Sequence, residues 1–147
     1  MAIRYPLQQY AALASTALTA TAAGAAFTLP YTDFDSLVLS LNVTAASGTT
    51  PTMDMYLQTT TDGGTTWFDV VHFAQVTAAL TNPSFAVVPA GDAARYVGAV
   101  GSKTIAASTM GLPLLSNTMR IAYTIAGTTP SFTTVVTLYV STANHGL

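Results

Sequence analysis

The stretch "SLVLSLNVTAASGTTPTMDMYLQTTTDGGTTWFDVVHF", Ser36 to Phe73, decides the fold class. In its first nine residues Leu37, Leu39, Leu41 and Val43 fall on one face, with Ser40, Asn42 and Thr44 on the other. Successive side chains of an extended chain point to opposite faces, so this period of two predicts a half-buried strand. "TMDMYLQT" repeats the pattern, with Met53, Met55 and Leu57 inward and Asp54, Tyr56 and Gln58 outward. The Asp62-Gly63-Gly64 sequence predicts a hairpin, because glycine tolerates the positive φ of a tight connection. "TTWFDVVHF" is then the return strand, with Trp67 and Asp69 on one face and Phe68 and Val70 on the other.

Outward from this stretch, the Gly48–Pro51 phrase recurs as Gly127–Pro130. The second copy also lies between alternating runs. Met119, Ile121, Tyr123 and Ile125 precede it, and Phe132, Thr134, Val136, Leu138 and Val140 follow. Gly48 and Gly127 permit a bend, the threonines can bond the backbone, and Pro51 and Pro130 fix φ where a strand begins. Both copies are therefore expected to connect neighbouring antiparallel strands. An internal duplication and two independent solutions to one turn problem are equally compatible with the repetition. Two further strands are expected around Phe85–Val88 and Tyr96–Val100. Many short strands with almost no helical periodicity predict an all-β protein, an antiparallel β-sandwich or barrel.

The first thirty residues differ in texture. From Tyr5 to Thr32 there is no charge, and the side chains are mostly too small to build a core of their own. Leu7 to about Ala14 could form a short helix behind Pro6. Residues 1–30 read as an N-terminal arm lying on its own sheet or on a neighbour, and residues 31–147 as the β-sandwich domain. The arm's apolar residues Ile3, Tyr5, Tyr10, Leu13, Leu18 and Phe27 are the candidate contacts. The run superficially resembles a signal-peptide core, but Thr and Ser interrupt it and Leu is sparse. The same composition disfavours a membrane span, so no membrane partner is expected.

At 147 residues the chain is the size of one domain. Charged residues make up 7% and hydrophobic ones 50%, where about 25% charged is ordinary. All six acids are Asp, against four basic residues, Arg4, Arg95, Lys103 and Arg120. A surface this neutral suits a chain that is buried against something. The net charge of −2 offers no basic patch for nucleic acid. Without cysteine, neither disulfides nor thiolate metal sites are available.

Chemistry has few handles. His72 and His145 are the only histidines, and no G-x-S-x-G nucleophile elbow is present. Asp33 with Asp35, or Asp62 with Asp69, could form carboxylate pairs, but Asp62 is already explained as the first residue of a Gly-Gly turn. No phosphate loop occurs. No catalytic residue, metal or cofactor is expected. Tyr56 and Trp67 are candidate glycan contacts, against the plainer alternative of a tryptophan packed at the core's edge.

Leu39–Val70 resembles a pattern of small virion proteins of tailed bacteriophages, in which an alternating strand passes a Gly-Thr-x-Pro turn, then a second strand, then a D-G-G-T-T-W hairpin. It is similar to the jelly-roll-like capsid decoration, or cement, proteins among them. The resemblance implies a protein without an active site that binds the major capsid protein between capsomers and stabilises the shell. It also implies a homotrimer on the outer capsid surface of the virion, assembled in the host cytoplasm. A neck, tail or baseplate adaptor and a glycan-binding module are the alternatives.

Overall fold

The computed structural model of the chain describes residues 8–30, 36–89, 102–103, 105–111 and 116–141. These residues form an all-β fold: β1 (Gln8–Leu18), β2 (Ala22–Ala23), β3 (Phe27–Thr28), β4 (Ser36–Thr59), β5 (Phe68–His72), β6 (Ser84–Pro89), β7 (Thr109–Met110) and β8 (Thr118–Ser141). All eight belong to one antiparallel sheet in the order β1-β8-β4-β5-β7, with β2 and β3 on β8 and β6 on β4.

The framework is the pair β4 and β8, each 24 residues long and matched from Ser36↔Ser141 to Thr59↔Met119. Here the structure corrects the sequence reading. Neither Gly-Thr-Thr-Pro phrase is a connection between neighbouring strands. Each lies inside a strand that continues on both sides, and the two face each other across the ladder, with Ser47 opposite Ser131 and Thr49 opposite Thr128. The register slips between Ser47 and Thr49 and again between Thr49 and Thr52, so the prolines fall where the ladder is already interrupted.

The backbone repeats itself there. Gly48 and Gly127 have φ of 113° and 120°, and Thr50 and Thr129 share a φ of 48°. A Cβ on Gly48 would lie 2.8 Å from the Thr129 oxygen, and one on Gly127 would lie 2.9 Å from the Thr50 oxygen. The two copies thus form one paired double bulge with local two-fold character, each requiring glycine because the other is packed against it.

The bulge divides the sheet into two halves. The first contains β1, the C-terminal part of β8, the N-terminal part of β4, and β6. The second contains β2, β3, the N-terminal part of β8, the C-terminal part of β4, β5 and β7. Leu13 is paired with Val136 and Gly24 is bonded to Ile121, positions about 50 Å apart along a straight strand. Yet a Cβ on Gly24 would lie only 3.4 Å from Leu13 Cδ1. The halves therefore fold toward one another, which makes the all-β fold sandwich-like although its hydrogen-bonded sheet is continuous.

The inward rows meet in one core. Leu37, Leu39, Leu41 and Val43 pack with Phe132, Val136, Leu138 and Val140 from the first half, and with Met53, Met55, Leu57, Met119 and Ile121 from the second. Each buried Leu, Ile, Val, Phe or Met contributes about 1.5–3 kcal/mol relative to exposure.

Residues 8–30 belong to this sheet. Gln8–Leu18 is a strand on β8, not the helix anticipated from Leu7 to about Ala14. An eight-residue helix is marginal in water, whereas the ladder with β8 supplies backbone partners along the segment. Leu18 and Leu29 are buried, and Tyr10, Leu13 and Phe27 pack on the core from its edge. Thr21 Oγ1 accepts from Ile125 N at 2.8 Å and donates to Ile125 O at 3.2 Å, acting as a substitute ladder partner. Ile3, Tyr5, the Asp33/Asp35 pair, His145 and the anticipated Tyr96–Val100 strand lie outside the described residues.

Candidate functional site

Directly paired residues of antiparallel strands share a face, so the register defines the outer surface of the first half. Val87, Val38, Tyr139 and Gln9 form one row across four strands, and Phe85, Ser40, Thr137 and Ala11 form the next. Asn42 and Val135 extend it. Phe85 and Val87 are 61% and 56% exposed, and Val38, Val135 and Tyr139 are half-buried. Among the described residues, no Asp, Lys, Arg or His occurs in the strand segments of this half.

Both of its edges, β1 and β6, lack a second partner strand among the described residues. Lysines or inward charges usually guard such edges; here only the β1 bulges near Ala11–Thr16 interrupt the ladder. Beside β6 a cleft of about 250 Å³ opens, lined by Phe85, Val87, His72, Phe73, Thr109 and Met110.

The second half holds the described charges. The hairpin joining β4 to β5 is present as anticipated, with Thr59 opposite Phe68 and Gly63 and Gly64 at positive φ. Asp62 Oδ1 accepts from Thr66 N at 2.8 Å, Thr65 N at 3.0 Å and Thr60 Oγ1 at 2.9 Å, while Thr60 Oγ1 accepts from Gly64 N at 3.0 Å. The bonds from Thr66, followed by that from Thr60, hold the Asp62 carboxyl down at about 2.

Behind the hairpin lies a polar chain. Trp67 Nε1 donates to Gly64 O at 2.8 Å, and the Arg120 guanidinium sits 4.2 Å above the Trp67 ring centroid. Arg120 Nε donates to Gln58 Oε1 at 2.8 Å. Gln58 Nε2 donates in turn to Asp69 Oδ1 at 2.8 Å and Ser102 Oγ at 2.7 Å. Asp69 also accepts from Lys103 N and Ile105 N, and Lys103 Nζ donates to the carbonyls of Ala22 and Tyr123. Gln58 and Asp69 are fully buried, which is tolerable because the network satisfies them.

Next to it, Tyr56 stacks on His72 with ring centroids 4.1 Å apart. His72 Nε2 lies 3.0 Å from Asp54 Oδ1 and Nδ1 lies 2.7 Å from Ile105 O. Asp54 also accepts from Gln75 Nε2 at 3.0 Å. The pair has the composition of an acid–base dyad, but both ring nitrogens face protein acceptors, so the geometry directs neither toward a substrate. Burial, followed by the charges of Asp54 and Asp69, raises the Tyr56 hydroxyl above its ordinary value.

Tyr56 and Trp67 are brought to this half, but not as a glycan platform. They are 5% and 9% exposed, and each has a ring face covered, by His72 and by Arg120 respectively. The expected outward set of β4 is corrected in the same way. Tyr56 and Gln58 are buried because β5 and the segments at Ser102 and Ile105 cover their side of the strand. Asp62 and Asp69 are a loop-capping group and a buried network centre. Among the described residues no three His, Asp or Glu side chains cluster as metal ligands would.

The uncharged face was not read from the sequence, although the absence of charge in the relevant strands was its available signal. The Arg120–Trp67–Gln58 arrangement had no signal in residue spacing. Neither a protein-family model nor a curated protein matches the chain.

Proposed function

We propose that this chain is a non-catalytic structural protein of a bacteriophage virion, binding the major capsid protein between capsomers in the manner of the jelly-roll-like decoration proteins. The observation that carries the reading is the uncharged outer face of the first sheet half, with Phe85 and Val87 exposed and edge strands β1 and β6 free of charged residues. In a free monomer such a surface invites association. Against a shell it can be covered, with roughly 1,200–2,000 Å² removed from water per standard interface. The D-G-G-T-T-W hairpin, intact in the fold, supports a virion as the setting. Symmetric copies acting as a homotrimer would add modest contacts through effective concentration.

The test is the copy number of the chain in purified virions, by quantitative mass spectrometry against the major capsid protein, with tag labelling in electron micrographs. Decoration predicts copies in proportion to capsomers and label over the head. Six or twelve copies with label on the tail axis would transfer the protein to a neck or tail adaptor. Absence from the virion would overturn the reading.

A further inference from the structure

From the geometry around Arg120 we infer that this residue is the anchor of a carboxylate-binding site. Its guanidinium is immobilised from two directions, by the Trp67 ring 4.2 Å from Cζ and by Gln58 Oε1 at 2.8 Å from Nε. Both supports are themselves fixed. The indole N–H is bonded to Gly64 O, and the buried Gln58 amide to Asp69 and Ser102. Among the described residues neither Nη has a protein partner and no salt bridge reaches Arg120. The guanidinium is half-buried, and burial pushes it below its ordinary value. It is a partly dehydrated cation, held in place and without a counter-ion among the described residues.

The free edge selects the ligand. Since Nε is engaged, only the terminal Nη1/Nη2 pair remains, and its two parallel N–H groups match the two oxygens of a carboxylate. A dianionic phosphate would call for a second available cation, and among the described residues Lys103 is the other Lys or Arg. Lys103 is close enough to feel Arg120, but its ammonium is directed to the carbonyls of Ala22 and Tyr123. The binding itself is independent of the reading as a capsid protein. That reading bears only on the source, an Asp or Glu side chain of the partner instead of a free small acid.

Trp67 is the only tryptophan, so its fluorescence reports on this site alone. The full chain is titrated at constant ionic strength with acetate, with N-acetyl-glutamate amide, whose only carboxylate is the side chain's, and with inorganic phosphate. Carboxylate binding predicts a saturable response to acetate that Arg120→Gln abolishes. Arg120→Lys, which keeps the charge but not the fork, should weaken it about tenfold, the equivalent of one charge-assisted hydrogen bond. A response to the blocked glutamate equal to that of acetate supports a partner side chain as the source. A response to acetate alone would overturn that source while leaving the site. No saturable acetate response, a response unchanged in both variants, or phosphate binding tighter than acetate would overturn the carboxylate assignment.

Discussion

Replacing Gly48 by alanine tests the paired bulge most directly. Two costs add at this position. The φ of 113° lies outside the left-handed well open to other residues, a strain of about 1–3 kcal/mol. The new methyl would also lie 2.8 Å from Thr129 O and 2.9 Å from both Pro130 Cα and Thr128 O. These are backbone atoms that cannot rotate aside, and forced overpacking costs about 1–3 kcal/mol more. A loss of about 3 kcal/mol corresponds to a fall in Tm of roughly 6–12 °C for a chain of this size. Gly127→Ala meets the mirror situation, at 2.9 Å from Thr50 O and 3.0 Å from Pro51 Cα. Gly63→Ala separates the two costs, because its φ is 74° and nothing lies within 4 Å of the new methyl. It should lose only about 1 kcal/mol. Urea unfolding followed by Trp67 fluorescence measures all three, with an unchanged m-value confirming that stability alone has moved. In the double variant the opening forced by one methyl accommodates the other, so the loss should fall short of the sum by more than about 0.5 kcal/mol. Additivity within that margin, or a Gly48→Ala cost no larger than that of Gly63→Ala, would refute mutual packing of the two phrases.

Two further outcomes follow from the charged half. Asp62 is lowered from 3.8 to about 2 in the fold; its stabilising effect is complete above about 4 and disappears as pH falls through about 2. Protection of the Thr65 and Thr66 amides, taken relative to their intrinsic exchange rates at each pH, should fall over that window, and Asp62→Asn should flatten the pH dependence. Gln58→Leu removes the amide linking Asp69, Ser102 and Arg120 and leaves a buried carboxylate short of a donor. A loss of about 2–4 kcal/mol in urea unfolding is expected, whereas a loss below about 1 kcal/mol would mean that water replaces the amide.

The rows Leu37–Val43 and Phe132–Val140 were legible because their strands are buried on one face only, and a one-sided strand writes its burial as strict alternation. The outward placement expected for Tyr56 and Gln58 fails because the cover on their face comes from β5, Ser102 and Ile105, which local periodicity cannot register. The Gly-Thr-Thr-Pro phrases were located correctly and interpreted wrongly for a related reason. Glycine and proline mark any departure from a regular strand, whether the chain then reverses or merely kinks and continues. Only the partner strand distinguishes these cases, and here the partner of each phrase is the other copy. The Gln8–Leu18 strand was hidden by alanine, whose local preference favours helix while pairing with β8 decides the outcome.

The low charge content takes on a different meaning once the residues are placed. Among the described residues the charges are segregated. Asp54, Asp62, Asp69, His72, Lys103 and Arg120 all lie in the second sheet half or in the loops against it. Asp62 closes a hairpin, Asp54 holds His72 and Gln75, Asp69 gathers two loop amides and Gln58, and Lys103 caps two carbonyls. These charges brace loops that a β-ladder does not reach. The strands of the first half are packed on the core, and their outer face carries Val, Phe, Tyr, Ser, Thr, Gln, Asn and Ala. The described residues thus form a braced polar half, in which the Arg120 Nη groups have no partner among the described residues, and a neutral face suited to burial against a protein surface.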